Sequence, residues 1–443
     1  MVTLFMEIIL FISLSLFLIL VYRVIANFSG VLALDFISFW FYTYIVFAFL
    51  GSLIIITGFG DDSYFVQPLS AHARNVFFGG SLMVLYAGLG TFSIFLLVLS
   101  LFLGKHRYKE KLIEKCTSES YDKIILAMLF IILMLVFFYY LISTFPSPLY
   151  LGLINASSED IALRRIEVTK NLSNIANTYI ISIGMLMSYI VSYAYLALFS
   201  IHKKYPIRTF LSVLIASIFI LSTGEKGPFL FYILGALICC SYAQGKIRRV
   251  SIKLIAITLF FLFLIYFIFV SSELSMITAL IFDRIFIAQV ISVYLSFDFY
   301  SNLGDIGFAS LSNIFTKLYD SKSVMPASEE LMSVYYPEML KLGGWNVNGL
   351  FISEAWANFG VLGAIISPVI VGIENGILLS ILMKIKKSPM QCAFYAYFTV
   401  KCVYFLTSFN AYLYHSDWIV CLLVLVLICF LNAIGKHFIL KYK

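Results

Sequence analysis

Run after run of roughly 20 apolar residues, each closed by a polar connection, leaves this 443-residue chain one class of fold. A helix of that length crosses a ~30 Å hydrocarbon layer and satisfies its backbone N–H and C=O groups within its own segment. With 62% hydrophobic and only 12% charged residues, the chain has far more apolar surface than a water-soluble core can hide. The expected fold is an all-α integral membrane protein. About eleven spans are read, near 4–26, 31–57, 77–103, 124–144, 176–200, 209–223, 228–244, 254–271, 360–383, 389–408 and 418–435. The first is read as a retained span, because a second apolar run follows it directly.

Lysine and arginine collect in alternate connections: 105–123, 203–208, 246–253, 384–387 and 436–443. The positive-inside rule makes those connections cytoplasmic, with the amino terminus outside and the carboxyl terminus inside. The net charge of +7 is divided among these short stretches and makes no continuous stripe, so it reads as an orientation signal and not as a nucleic-acid footprint. The seven cysteines lie in apolar spans or, as Cys116, in a basic connection, without a disulfide framework or metal-ligand spacing. No metal or cofactor is expected.

The other connections are acidic: Asp61 and Asp62, the 145–175 stretch with Glu159, Asp160 and Glu167, and the long 272–348 stretch. The chain therefore divides into helices over 1–271, a large outer loop over 272–348 and further helices over 349–443. The start of that loop is apolar at helical spacing, yet Asp283 and Arg284 fall at its middle. Each would cost about 2.5–3.5 kcal/mol at the centre of a span, so the expectation is an amphipathic helix lying on the outer surface or lining a cavity.

The cytoplasmic connections, the longest near 104–122, leave no room for a nucleotide-binding domain, and no phosphate-cradling G-x-x-x-x-G-K-[ST] loop is present. An enzyme built this way takes substrates from the membrane or from its outer side. In "STGEKGPF", Lys226 sits at a tight outer turn, where it either marks the water boundary or holds a phosphate beside the free N–H groups of the next helix. Arg284 offers a planar fork for a second phosphate contact, or else pairs with Asp283; Arg164 and Arg165 are weaker phosphate candidates that fit a solvated face. In "GGWNVNGLFISEAWANFGVLG", Glu354 and Asn358 share a helical face, and Gly360 and Gly363 would allow close packing on a neighbouring helix. Glu354 at the membrane boundary could accept a proton from a sugar hydroxyl, against the alternative of a helix cap or a structural hydrogen bond. Trp345, Trp356, Tyr335 and Tyr336 offer flat faces for sugar rings, or an interfacial aromatic belt. Lys401 falls inside a span, and "FNAYLYHSDW" carries His415 and Asp417, a base and its orienter if they approach a substrate.

These patches resemble the Wzy-type oligosaccharide repeat-unit polymerases of bacterial O-antigen and capsule assembly. The likeness lies in the many-span layout, the charged turn "STGEKGPF", the large outer loop after it, and the late helix opening "FISEAWANFGVLGAIISPVIVG". It implies a multi-pass inner-membrane glycosyltransferase with one large periplasmic loop. The enzyme would transfer a glycan from undecaprenyl diphosphate onto the next lipid-linked repeat, inverting the anomeric carbon without a metal. Lys226 and Arg284 would stabilise the departing diphosphate, Glu354 or His415 would deprotonate the acceptor, Asn358 would orient sugar or base, and Trp345 and Tyr336 would meet sugar. Family members often carry arginine where Lys226 stands, which shifts the load toward Arg284. The implied partners are the lipid-linked oligosaccharides, the bilayer, a chain-length regulator and a flippase. The rival readings are a lipid-linked oligosaccharide flippase, an O-antigen ligase using the same donor and, more distantly, an acyltransferase.

Overall fold

The computed structural model describes residues 2–30, 32–69, 74–118, 120–154, 156–169, 175–222, 226–269, 273–307, 327–338 and 349–402, with 347, 409, 410, 426 and 430. Among these the chain is helical throughout, apart from one antiparallel bridge between Ala33 and Arg249. The helices are α1 (Val2–Ser29), α2 (Phe36–Ile56), α3 (Arg74–Phe102), α4 (Lys105–Ile113), α5 (Ser120–Thr144), α6 (Pro148–Leu153), α7 (Ser158–Thr169) and α8 (Ile175–His202). They continue as α9 (Pro206–Ser222), α10 (Lys226–Ala243), α11 (Ile252–Phe269), α12 (Leu274–Ile287), α13 (Ile291–Leu303), α14 (Ala327–Tyr335), α15 (Phe351–Lys384) and α16 (Pro389–Lys401). Among the described residues six helices are long and apolar enough to cross a membrane, or seven if the bent pair α12 and α13 makes one span. Every expected span from 4–26 to 360–383 falls on a helix, and 389–408 does so over its described part. The expected span 418–435 lies outside the described residues except 426 and 430.

Local chemistry fixes several helix starts. Asp35 caps α2 by accepting from the Ser38 N–H at 3.0 Å, and Ser388 caps α16 by accepting from Gln391 N–H at 3.2 Å, with Pro389 in the first turn. Close packing then comes from missing side chains. Gly372 and Gly376 of α15 meet the Thr91 carbonyl, Ile94 and Val98 of α3, where a methyl group would lie 2.7 Å from its neighbours. That is the small-residue contact by which membrane helices approach without a hydrophobic drive.

Hydrogen bonds sort the connections into two ends. At one end Leu34 N–H donates to Arg248 O (2.7 Å), Val250 N–H to Leu32 O (2.8 Å), Tyr108 O–H to Asp35 (2.8 Å) and Thr117 N–H to Lys387 O (3.0 Å). This end holds the basic connections 104–118, 244–250 and 385–388. At the other end Tyr336 O–H donates to Phe65 O (2.6 Å) and Ile306 N–H to Ala357 O (3.0 Å).

The second half of the bent pair differs from the surface helix expected of it, while Leu274, Met276 and Phe282 of α12 are exposed. α12 and α13 meet at 56°, and Ile291 to Ser296 are all buried. A helix buried all round belongs in a core. Its seat is made of glycines: a Cβ on Gly51 would strike the Phe286 carbonyl, one on Gly79 the Phe297 ring, and one on Gly80 the Tyr294 ring. The Tyr294 hydroxyl closes the seat on Ser52 (2.6 Å) and Ser81 (2.9 Å). Asp283 and Arg284 escape lipid by meeting Ser63 and the Phe65 ring in the connection between α2 and α3.

Candidate functional site

α15 is two helices joined at a break. Gly360 has φ +54° and ψ −135°, a conformation only glycine adopts without strain. The Asp305 carboxylate fills the side where a Cβ would stand, 2.6 Å away, and a Cβ on Gly363 would strike the Ala355 carbonyl. Both glycines therefore serve the break in their own helix, which corrects the expectation of helix-to-helix packing. The break frees carbonyls of the short first segment, and Ile306 N–H satisfies Ala357 O.

That first segment carries Glu354 and Asn358 on one face, as their spacing predicts. Glu354 is half-buried, and both its oxygens accept from one residue: Oε2 from the Asn410 N–H at 2.7 Å and Oε1 from Asn410 Nδ2 at 2.9 Å. Asn358 is fully buried and donates from Nδ2 to Asn410 Oδ1 at 3.4 Å. Glu354 also lies within electrostatic reach of Tyr300, whose hydroxyl donates to Glu330 at 2.7 Å. Beside it the Tyr335 hydroxyl donates to Asp298. Asn410 is the site residue that sequence reasoning misses, because a single asparagine in a polar stretch carries no pattern.

Tyr336 is 2% exposed and spends its hydroxyl on Phe65 O, so its ring faces the protein; the exposed ring tilted against it, at 5.5 Å, is Tyr64. Burial pushes the Tyr335 and Tyr336 hydroxyls well above the usual tyrosine range, reinforced for Tyr335 by its bond to Asp298 and for Tyr336 by Tyr64.

The cations form a second group. Arg284 lies over the Phe65 ring at 5.4 Å, and Arg165 of α7 is near enough for the two guanidinium charges to act on each other. Like charges brought together from separate elements suit a shared anion. Arg164 points elsewhere: its guanidinium donates to Pro146 O (2.9 Å), Thr144 O and Phe145 O (both 3.3 Å) and Glu167 (2.6 Å), which ties α7 to the end of α5. Lys401 holds its ammonium 5.5 Å from the Tyr397 ring centre, and Tyr397 meets Tyr189, whose hydroxyl donates to Pro228 O beside Lys226. Lys226 opens α10, but its side chain, like Trp345 and His415, lies outside the described residues. Among the described residues no group of three or more His, Cys, Asp or Glu side chains is disposed to hold a metal ion.

Comparison of this chain with family models, curated proteins and solved structures finds no match.

Proposed function

We propose that this chain is an inverting glycosyltransferase of the inner membrane that joins undecaprenyl-diphosphate-linked repeat units at the periplasmic face, building O-antigen or capsular polysaccharide. On this reading it crosses the membrane about eleven times. The observation that carries the proposal is the segregation of groups by end. Basic connections occupy one end of the bundle, while Glu354, Asn358 and Asn410, the Arg284 and Arg165 pair and the carboxylate-bound tyrosines gather at the other. The positive-inside rule makes the second end periplasmic.

In the reaction, Glu354 accepts the proton of an acceptor hydroxyl, and that oxygen attacks the anomeric carbon of the donor from the face opposite its diphosphate. The carbon–oxygen bond to phosphate breaks as the new glycosidic bond forms, so the configuration inverts. The lipid diphosphate departs as an anion, and Arg284 with Arg165 stabilises its charge. Asn358, buried against Asn410, orients the base and does not touch sugar. Both substrates arrive by lateral diffusion in the membrane.

Deleting the gene and running a gel of surface polysaccharide tests the class. Loss of a polymerase leaves single-repeat lipopolysaccharide, loss of a ligase leaves no attached glycan, and loss of a flippase traps repeats inside. Glu354→Gln and Arg284→Ala should each collapse the ladder to one repeat while the protein still accumulates. An unchanged ladder from either variant would remove that residue from the mechanism.

A further inference from the structure

The base assigned above needs something to hold it, and the geometry points to Asn410 as the positioning residue for Glu354. A single residue supplies donors to both carboxylate oxygens, one from its backbone at 2.7 Å and one from its side chain at 2.9 Å. An asparagine amide can present either its oxygen or its nitrogen to a neighbour, and only the nitrogen can donate. Glu354 decides the matter: its carboxylate only accepts, so the Asn410 NH₂ group faces it, and Asn410 Oδ1 is left to accept from Asn358 Nδ2. The relay runs Asn358 to Asn410 to Glu354, and it starts from a fully buried side chain that cannot turn to solvent.

The clasp joins residues 56 apart in the chain. Asn410 opens the last outer connection, which carries His415 and Asp417. The clasp therefore fixes Asn410 on the start of α15. This rests on the polymerase reading for its chemical consequence.

Asn410→Asp is nearly isosteric and replaces the donor nitrogen with an oxygen facing the Glu354 carboxylate. Two carboxyl groups at that separation share one proton. The shared-proton form reproduces the native arrangement, with the introduced carboxyl donating to Glu354, and loss of that proton abolishes it. The ladder of cells carrying the variant should match the parent in mildly acidic medium and shorten as the medium turns alkaline, because a periplasmic site feels the medium's pH. Asn410→Ser keeps the backbone bond and loses only the amide donor, so its ladder should shorten at every pH, by about tenfold in polymerisation rate. It also serves as the test should the aspartate variant fail to accumulate.

An Asn410→Asp ladder with the same pH dependence as the parent, or an Asn410→Ser ladder as long as the parent's, would overturn the positioning role. If instead Glu354→Gln leaves the ladder intact, the base assignment itself fails, so the two failures are distinguishable.

Discussion

Lys387 is the most heavily engaged cation at the basic end. Fully buried, it donates from Nζ to the carbonyls of Lys111 (2.9 Å), Leu112 (3.2 Å) and Glu114 (2.6 Å), and stands 3.6 Å from the centre of the Tyr242 ring. It thus satisfies the carbonyls left open at the end of α4 and bolts that helix to the connection before α16. Burial pushes its ammonium down to about 8 from an ordinary 10.5. Below about 8 both folded and unfolded chains hold the proton, and the penalty for the buried charge is constant. Between there and 10.5 only the unfolded chain binds it, so unfolding free energy rises with pH. Thermal unfolding of purified protein should show that rise, and Lys387→Met should flatten it; an unaltered slope in the variant would show that another group is responsible. A lysine among three between two spans reads only as an orientation charge in sequence. The carbonyls it holds, 273 or more residues away, turn it into a structural post.

Two elements depend on glycine. The break in α15 presents Glu354 at an angle to the long lower segment, and Gly360→Ala should cost about 1–3 kcal/mol from the backbone conformation, plus the clash with Asp305. A lowered melting temperature and loss of polymer would report it, while wild-type melting would show that the chain tolerates a side chain there. The bent pair depends on the glycine seat, and Gly80→Val, which drives a side chain into the Tyr294 ring, should unseat it. Limited proteolysis would then cut near 304–307 faster than in the parent, and unchanged cutting would contradict the seat. Apolar runs made the helices legible before any coordinates, because burial in lipid needs only length and composition. The bent pair was not legible, since Asp283 and Arg284 mark a surface helix in sequence. In the fold they take the pair's contact with the outer connection, while Phe286, Tyr294 and Phe297 pack on Gly51, Gly80 and Gly79 and the start of α12 stays exposed. Gly360 and Gly363 mislead in the same way: small residues in a span suggest a partner helix, and only φ and ψ reveal a break.

At the scale of the whole molecule the alternation of charged connections is the strongest signal in the sequence, and hydrogen bonding between those connections gathers them at a common end. The spacing of Glu354 and Asn358 gave half of the clasp; Asn410 could come only from tertiary structure. Arg284 and Arg165 were legible as cations but not as neighbours, since nothing local relates α7 to α12. The account stands on the candidate site lying across the membrane from the basic connections and facing outward. The direct measurement is labelling of single cysteines by a membrane-impermeant maleimide in intact cells, with the seven native cysteines replaced. Glu338 and Lys109 are both exposed and lie at opposite ends. Glu338→Cys should label in intact cells and Lys109→Cys only after permeabilisation; the reverse pattern would turn the proposed centre toward the cytosol and contradict the account.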